Sequence, residues 1–445
     1  MQPLTDVLGP KRDDNPYGDV QLLREYQGSG GDPDSLLYLS LGETWTETAP
    51  GLRSALARQV PTYAHGYLLT PYGLPALHTV LRDYVTSTHR LEDVDRERYD
   101  TAVVQSGTRQ AMFDLGRLLL ADHHDGSHPP VLFCSGPGWD YPGVFGGLGF
   151  QVAYYPLAAE NAYRPDPGGI ASALTEAHRS APRSARLLAL NPQHDPTAVD
   201  WPPDAMRAII TAAVETGTAI LLDDAYYALH DPGTTATSGL RLLLEHTART
   251  PCTAPWLAVR TLGKQFHCNG WAIGAMTSTR ETLTALVTRM RDQHSLTCAL
   301  PLQAAMAVWL EDPAAASFVE RLRVRYASGR RRLIDRLVGD LGYPRDSLVP
   351  GTCTPFLRVP VPPAYRGRAR DYRRAGMLRA HVLLGEGSMT PAESLTHEKD
   401  SYVRYYLGHP SEVLDRALDR LGEAGLGWDA EPTPPSGTEG DDHDG

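Results

Sequence analysis

Lysine is scarce in this sequence. Only Lys11, Lys264 and Lys399 are lysine among the 42 Lys and Arg residues. Lys11 lies in a polar N-terminal segment, and Lys399 lies in the charged run Glu398-Lys399-Asp400, so both have solvated settings. Lys264 follows the apolar run 256–259, where a buried strand is expected to end. A lysine there either extends its amine to the surface or uses a desolvated amine, which suits Schiff-base chemistry.

Paired cysteines, long apolar runs and excess positive charge are also missing. The five cysteines are odd in number and scattered, which favours a reducing cytoplasm over a disulfide framework. No apolar run approaches the length of a membrane span, and we expect no signal peptide. The net charge of −11 argues against a nucleic-acid or anionic-membrane partner. The run Asp122-His123-His124-Asp125 reads as a solvated loop, so we predict no metal site.

Short apolar runs recur between residues 100 and 280, and helical patterns separate most of them. Seven such runs predict strands at 102–105, 131–134, 152–155, 187–190, 219–222, 257–259 and 273–276. Apolar strands that alternate with helices indicate an α/β fold with a mostly parallel, seven-stranded sheet covered on both faces. Ligands of such sheets bind beyond the carboxyl ends of the strands.

The composition predicts four segments along the chain. Residues 1–45 are polar and rich in Pro and Gly, and they predict an extended arm that packs on a small domain. Residues 46–313 predict a large α/β domain, and 314–428 predict a smaller α+β domain. Residues 429–445 have few apolar side chains and predict a disordered tail.

Polar and aromatic side chains follow the predicted strands. They are Gly107, Thr108, Arg109, Trp139, Asp195, Asp223, Tyr226, Thr261 and Lys264. Taken singly, several of these are explained as helix caps or turns. Taken together, they supply an anion-binding helix N-terminus, an aromatic plate, a carboxylate, a phenol and an amine. Those are the groups that a pyridoxal phosphate site needs.

From about residue 35 to 428, the chain resembles the class I/II aminotransferases, which are fold type I pyridoxal phosphate enzymes. The resemblance implies that Lys264 forms the Schiff base (the aldimine) with the cofactor. Asp223 matches the aspartate at the pyridine nitrogen, and Tyr226, three positions later, matches the tyrosine at the 3-oxygen. Trp139, after Pro137-Gly138, matches the aromatic residue that stacks on the ring.

The same resemblance implies roles for residues further from the ring. Gly107, Thr108, Arg109 and Thr261 match donors to the cofactor phosphate. Arg404 matches the arginine that binds the α-carboxylate of an amino acid substrate, a bidentate task that suits Arg. Two further matches are Gly42, in the N-terminal segment over the substrate, and Tyr67, as the tyrosine lent to the partner subunit's phosphate. The family also implies a homodimer with shared active sites.

Two positions depart from the family pattern. Asp195 replaces the asparagine of Asn-Pro-Thr-Gly, and an ionised aspartate can accept hydrogen bonds but not donate them. Asp195 is therefore protonated, or accepts a proton from the 3-oxygen, or faces the substrate. Ala272 stands where the family usually has an arginine that holds the phosphate. Arg109 is the candidate to compensate for it.

Three functions are compatible with these residues. The first is an aminotransferase that acts on an amino acid through the Lys264 aldimine and a quinonoid, in bacterial specialised metabolism. The second uses the same quinonoid for β- or γ-elimination, replacement or carbon–carbon bond formation, for example on a sulfonium amino acid such as S-adenosylmethionine. The third is a catalytically silent protein of this fold. Arg289, Arg291 and His294 are candidates to contact a substrate side chain, and His267 is a candidate to line the site.

Overall fold

A computed structural model describes residues 18–41, 47–390 and 400–431, together with Leu4 and Leu8. Within these residues the strands are β1 (Leu37–Leu39), β2 (Asp100–Val104), β3 (Val131–Gly136), β4 (Gln151–Pro156), β5 (Arg186–Leu190), β6 (Ala219–Asp223), β7 (Trp256–Thr261), β8 (Gly274–Ser278), β9 (Phe356–Pro360), β10 (Val382–Glu386) and β11 (Tyr402–Tyr406). The α-helices are α1 (Gly18–Gly28), α2 (Pro50–Arg58), α3 (Pro75–His89), α4 (Thr108–Asp122), α5 (Tyr141–Phe145), α6 (Pro167–Ser180), α7 (Pro203–Glu215), α8 (Gly239–Thr247), α9 (Gly263–Phe266), α10 (Arg280–Ala285), α11 (Leu300–Glu311), α12 (Pro313–Gly339), α13 (Ala369–Ala380) and α14 (Ser411–Glu423).

Seven strands form the larger sheet, in the order β2-β8-β7-β6-β5-β3-β4. Strand β8 runs antiparallel to both of its neighbours, and all the other pairs are parallel. Successive residues of β5 enter different apolar cores: Leu188 and Leu190 pack in one, and Leu187 and Ala189 in the other. Burial on both faces explains the unbroken apolar runs of the strands. The prediction of a mostly parallel seven-stranded sheet is confirmed.

The direction of the strands places their polar successors together. Five strands point the same way: β2, β3, β5, β6 and β7. Strand β2 has this direction because β8, which lies between β2 and β7, runs antiparallel to both. The carboxyl ends of the five strands therefore share one edge of the sheet. The segments that follow them at this edge begin at residues 105, 137, 191, 224 and 262.

Four strands form the smaller sheet, in the order β1-β10-β11-β9. Strand β11 pairs antiparallel with β9, and this register sets Arg404 opposite Arg358. Strand β1 pairs parallel with β10, so the N-terminal segment joins the sheet formed by the C-terminal part of the chain. Helix α12 connects the two regions: Phe318 and Val319 contact the cores of both.

Two details of the predicted segments are wrong. The N-terminal arm is not simply extended, because α1 forms within it and buries Leu22, Leu23 and Tyr26. These three side chains share one helical face, a pattern that the surrounding Pro and Gly residues obscured. The predicted tail begins too early, because Ala430 is buried in the core of the smaller sheet.

No described helix is long and apolar enough to cross a membrane.

Candidate active site

A cavity of about 350 Å³ opens at the carboxyl edge of the larger sheet and also receives residues of the smaller one. Its described lining is Leu41, Gly107, Thr108, Arg109, Met112, Trp139, Asn191, Asp195, Asp223, Ala225, Tyr226, Thr261, Lys264, Asn269, Ala272, Phe356, Met389 and Arg404. All nine polar and aromatic residues singled out at the strand ends are among them. Because they come from five loops, their meeting in one cavity is a consequence of strand order.

Helix α4 points its N-terminus into one end of the cavity. Gly107 caps the helix with a φ of +83°, a left-handed value that glycine adopts without steric cost. The N–H of Gly107 donates to the carbonyl of Ala272 over 2.8 Å, which ties the start of α4 to the loop before β8. The next N–H groups of the helix and the hydroxyls of Thr108 and Thr261 make this end suited to an anion.

Arg109 stands at the same end but already has a carboxylate partner. Its Nη2 lies 2.9 Å from Oδ2 of Asp140, and its guanidinium lies 4.7 Å from the ring centroid of Trp139. Ala272, at the position of the family's arginine, has a φ of +55°. The structure therefore places one arginine at this end, and that arginine is shared with Asp140.

Asp223 ends β6 at the floor of the cavity and is buried. The hydroxyl of Tyr141 donates to Oδ2 of Asp223 over 2.9 Å, and the N–H of Ala225 donates to Oδ1 over 3.2 Å. Burial raises the pKa of the Asp223 carboxyl to about 6, and the Tyr141 hydrogen bond opposes that rise. A cationic partner inside the cavity would favour the ionised form of this carboxyl.

A buried chain of hydrogen bonds joins Asp195 to both sheets. The hydroxyl of Tyr226 donates to Oδ2 of Asp195 over 3.2 Å, and Nη1 of Arg404 donates to Oδ1 over 2.8 Å. The amide of Asn191 fixes the loop, because its Oδ1 accepts from the N–H of Asp195 and its Nδ2 donates to the carbonyl of Asp223. Burial raises the pKa of the Tyr226 phenol well above its ordinary value, so this phenol is a hydrogen-bond donor.

Lys264 lies in the first turn of α9, just beyond β7, and is half-buried in the cavity wall. It is the one lysine within the described part of the chain. Its side chain shares the cavity with Trp139 on the larger sheet and with Arg404 on the smaller one. The position matches the second explanation of this lysine, in which the amine faces a binding site.

Other sequence candidates lie elsewhere. Arg289 pairs with Asp122, Arg291 is buried with Nη1 on the carbonyl of Val103, and His294 contacts Asp114. His267 turns away from the cavity, and its Nε2 lies 2.8 Å from the hydroxyl of Tyr326. Tyr67 is exposed and does not line the described cavity, and Gly42 falls outside the described residues.

Three further residues at the site had no predicted contact. Tyr141 contacts Asp223, Asn191 spans Asp195 and Asp223, and the ring of Phe356 lies 4.0 Å from the Arg404 guanidinium. Asn191 follows β5 directly and is among the residues that the strand-end rule selects, where Asn191-Pro192 is explained as a turn. Tyr141 and Phe356 follow from tertiary packing and carry no comparable signal.

The described lining fits pyridoxal phosphate. An anion-binding helix N-terminus lies at one end, an aromatic plate stands beside it, and Asp223 is a buried carboxyl that an internal cation would ionise. A lysine suited to an aldehyde lines the same space, and a buried arginine stands at the far side.

Comparisons with known proteins agree with this chemistry. The profile of the family Aminotransferase class I and II matches residues 38–421. The aspartate/prephenate aminotransferase of Thermus thermophilus is 26% identical over 303 residues, which cover 68% of this chain and 71% of that protein. The arginine–pyruvate transaminase of Pseudomonas aeruginosa is 24% identical over 247 residues, or 54% of this chain and 55% of that protein.

A solved structure extends the likeness to the whole fold. A double mutant of Thermus thermophilus aspartate aminotransferase superposes with a TM-score of 0.72 at 24% identity, and the match covers 94% of this chain and 98% of that one. The profile match spans most of the sequence, and the mostly parallel seven-stranded sheet is the one expected of the fold. The chain therefore belongs to the class I and II aminotransferases, which are pyridoxal phosphate-dependent enzymes of fold type I.

Proposed function

We propose that this enzyme exchanges the amino group of an amino acid with a 2-oxo acid, with pyridoxal phosphate bound covalently at Lys264. The observation that carries the proposal is that Lys264 shares one cavity with Asp223, Trp139 and Arg404. When bound, the cofactor supplies an electron-accepting ring that stabilises a negative charge at the substrate's α-carbon. Bacterial specialised metabolism is the proposed setting, based on the composition and the two departures from the family pattern.

Each residue at the cofactor end has a proposed task. Asp223 would accept a hydrogen bond from the protonated pyridine nitrogen, and the Tyr141 hydrogen bond helps to keep the carboxyl ionised for that task. Trp139 covers one face of the ring. Gly107, Thr108, Arg109 and Thr261 hold the phosphate at the N-terminus of α4. Tyr226 and Asp195 stand at the side of the 3-oxygen.

At the substrate end, the Lys264 amine would carry a proton to and from the substrate's α-carbon. Arg404 orients the substrate through its α-carboxylate. Apart from Lys264, the basic side chains of the described lining are Arg109 and Arg404, and each already faces an aspartate. Within the described lining there is therefore no unpaired arginine for a second, side-chain carboxylate, although one relative is named for aspartate and prephenate.

A homodimer with shared sites is part of the proposal. Tyr63, Tyr67, Leu69 and Leu296 are large, exposed and hydrophobic, and the Thr297 hydroxyl donates to the Thr70 carbonyl over 2.7 Å, which brings two of their loops together. A partner subunit would cover them, and Tyr67 would reach the phosphate bound in the partner subunit.

The role of Gly42 in the N-terminal segment over the substrate stays a prediction. A cytoplasmic location is supported by the five free cysteines.

Borohydride trapping tests the covalent bond. Reduction of the cofactor-loaded enzyme, followed by peptide mass spectrometry, should place the cofactor's mass on the Lys264 peptide. Lys11 and Lys399 are internal controls, because unspecific labelling would mark them as well. Unmodified Lys264 in a coloured, cofactor-loaded preparation would refute the assignment.

Amino transfer itself is followed through the bound cofactor's absorbance with a panel of amino acids. Formation of the pyridoxamine form, reversed by a 2-oxo acid, is the expected result. Release of a side-chain leaving group without that reversal would support elimination or replacement instead. A protein that binds the cofactor but reacts with no amino acid would support the catalytically silent alternative.

A further inference from the structure

Asp195 and Arg404 form a buried ion pair inside the cavity. Their side chains are 7% and 5% exposed, and Nη1 of Arg404 lies 2.8 Å from Oδ1 of Asp195. The second oxygen of Asp195 accepts from the Tyr226 hydroxyl, and the N–H of Asp195 donates to Asn191 over 2.7 Å. The aspartate is thus held by two side-chain donors and by its own backbone. It is the one anion paired with Arg404 among the described residues.

The rest of the Arg404 guanidinium has few polar contacts. Its Nε is buried without a hydrogen-bond partner in the described part of the chain. The ring centroid of Phe356 lies 4.0 Å from the guanidinium carbon. The positive charge is therefore balanced by Asp195 before any ligand arrives. An asparagine, which the family usually has here, would leave that charge available to a ligand.

We propose that Asp195 is an internal counter-ion of Arg404, with which the carboxylate of a ligand must compete. This inference rests on the proposed function only in assigning the substrate's carboxylate to Arg404. A second carboxylate cannot simply add to the pair, because one guanidinium with two carboxylates would bury a net negative charge. Binding therefore displaces the Asp195 oxygen from Nη1, and the Asp195–Tyr226 hydrogen bond gives the displaced carboxylate one remaining partner. The consequence is weaker capture of carboxylates than an asparagine would allow.

The test measures the affinity of maleate, an unreactive dicarboxylate, for the cofactor-loaded enzyme by calorimetry at fixed pH and ionic strength. Asp195→Asn removes the charge and keeps an oxygen for Tyr226 or Arg404. We expect maleate to bind at least about tenfold more tightly to this variant, because close charge pairs are strongly coupled. Asp93→Asn is the matched control. It removes one aspartate charge from an exposed pair with Arg241, outside the cavity, and should leave the affinity unchanged.

Asp195→Ser removes the charge without adding an amide that could itself bind maleate. This variant should also bind maleate more tightly than the wild type. It replaces the asparagine variant in the test if that variant cannot be purified. Unchanged or weaker maleate binding in the charge-free variants would overturn the inference. Amino transfer by the wild-type enzyme is scored separately. If amino transfer fails but the charge-free variants bind maleate more tightly, only the proposed function is refuted. If amino transfer succeeds but the variants do not bind maleate more tightly, only the competition of Asp195 with ligand carboxylates at Arg404 is refuted.

Discussion

The Tyr141 hydroxyl donates a 2.9 Å hydrogen bond to Oδ2 of Asp223, where both groups are buried beneath the cavity. Burial alone would favour a neutral Asp223 carboxyl, and the phenol partly offsets this by stabilising the ionised form. If Asp223 binds the cofactor as proposed, Tyr141 acts on the cofactor through Asp223. The ring of Tyr141 also packs edge-on against Trp139, with 5.2 Å between the ring centroids. One side chain therefore contacts both the Asp223 carboxylate and the Trp139 ring.

We predict that Tyr141→Phe weakens cofactor retention. Loss of the hydrogen bond leaves one fewer donor on a buried carboxylate, and a hydrogen bond to a charged group contributes about 1.5–3 kcal/mol. The rate of cofactor release, followed by absorbance after dilution into an aldehyde scavenger, should rise about tenfold or more. Tyr155→Phe is the control, because its buried hydroxyl donates to the Ala189 carbonyl outside the cavity lining. Equal release rates for the two variants would contradict this role.

Asp223 should lower the stability of the cofactor-free enzyme at neutral pH. Its folded pKa of about 6 lies above the ordinary 3.8, so the folded state binds more protons between these values. Stability therefore falls as pH rises from about 4 to about 6, and the full penalty is present above that range. Asp223→Asn should raise the free energy of unfolding of the cofactor-free form at pH 7.5 by up to about 3 kcal/mol.

Chemical denaturation of both cofactor-free proteins across that pH range provides the measurement. The advantage of the asparagine variant should shrink towards pH 4 and disappear below about pH 3, where the wild-type carboxyl is protonated in both states. With cofactor present the order should reverse, because the variant loses the ionised partner of the pyridine nitrogen. A stability difference that is constant with pH would contradict the assigned titration.

The larger sheet was predictable because its strands carry their own signal. Burial on both faces produces apolar runs that turn residues bound, and the seven predicted strands match β2–β8 to within about two residues at each end. The carboxyl-edge rule then selected Lys264, Asp223 and Thr108 with no knowledge of their distances. Strand β10 and helix α13 were missed. They lie in a stretch whose many arginines and glycines hide the apolar pattern.

Contacts between the two sheets could not be predicted from sequence patterns. Asp195 and Arg404 are 209 positions apart, and their pairing depends on how the smaller sheet meets the larger one. The structure shows Asp195 in contact with both Arg404 and Tyr226, and the three alternatives for its role stay predictions. Phe356 begins β9, and its place over Arg404 depends on the register of β9 against β11.

Ala272 offers a test of the missing phosphate contact. Its φ of +55° already lies in the left-handed region, so Ala272→Arg introduces no new kind of backbone strain. A charge-assisted hydrogen bond from the new guanidinium should slow cofactor release about tenfold, in line with about 1.5–3 kcal/mol for such bonds. Ala272→Gln is the control of similar length without charge. Release from the arginine variant at the wild-type rate would mean that Arg109 and the N-terminus of α4 already satisfy the phosphate.

Phe356 should contribute to substrate affinity through Arg404. Its ring lies 4.0 Å from the guanidinium, and a cation–π contact of this kind contributes about 0.5–2 kcal/mol. In Phe356→Leu the apolar contact persists but the ring is lost, so Arg404 is held less firmly. Steady-state kinetics should show KM for the amino acid rising about three- to tenfold with little change in kcat, because the lost interaction orients the carboxylate in ground and transition states alike. Phe318→Leu is the matched control: its ring lies 5.8 Å from Arg321 on α12, outside the cavity lining, and KM should stay unchanged. A fall in kcat at constant KM would instead assign Phe356 to the chemical step.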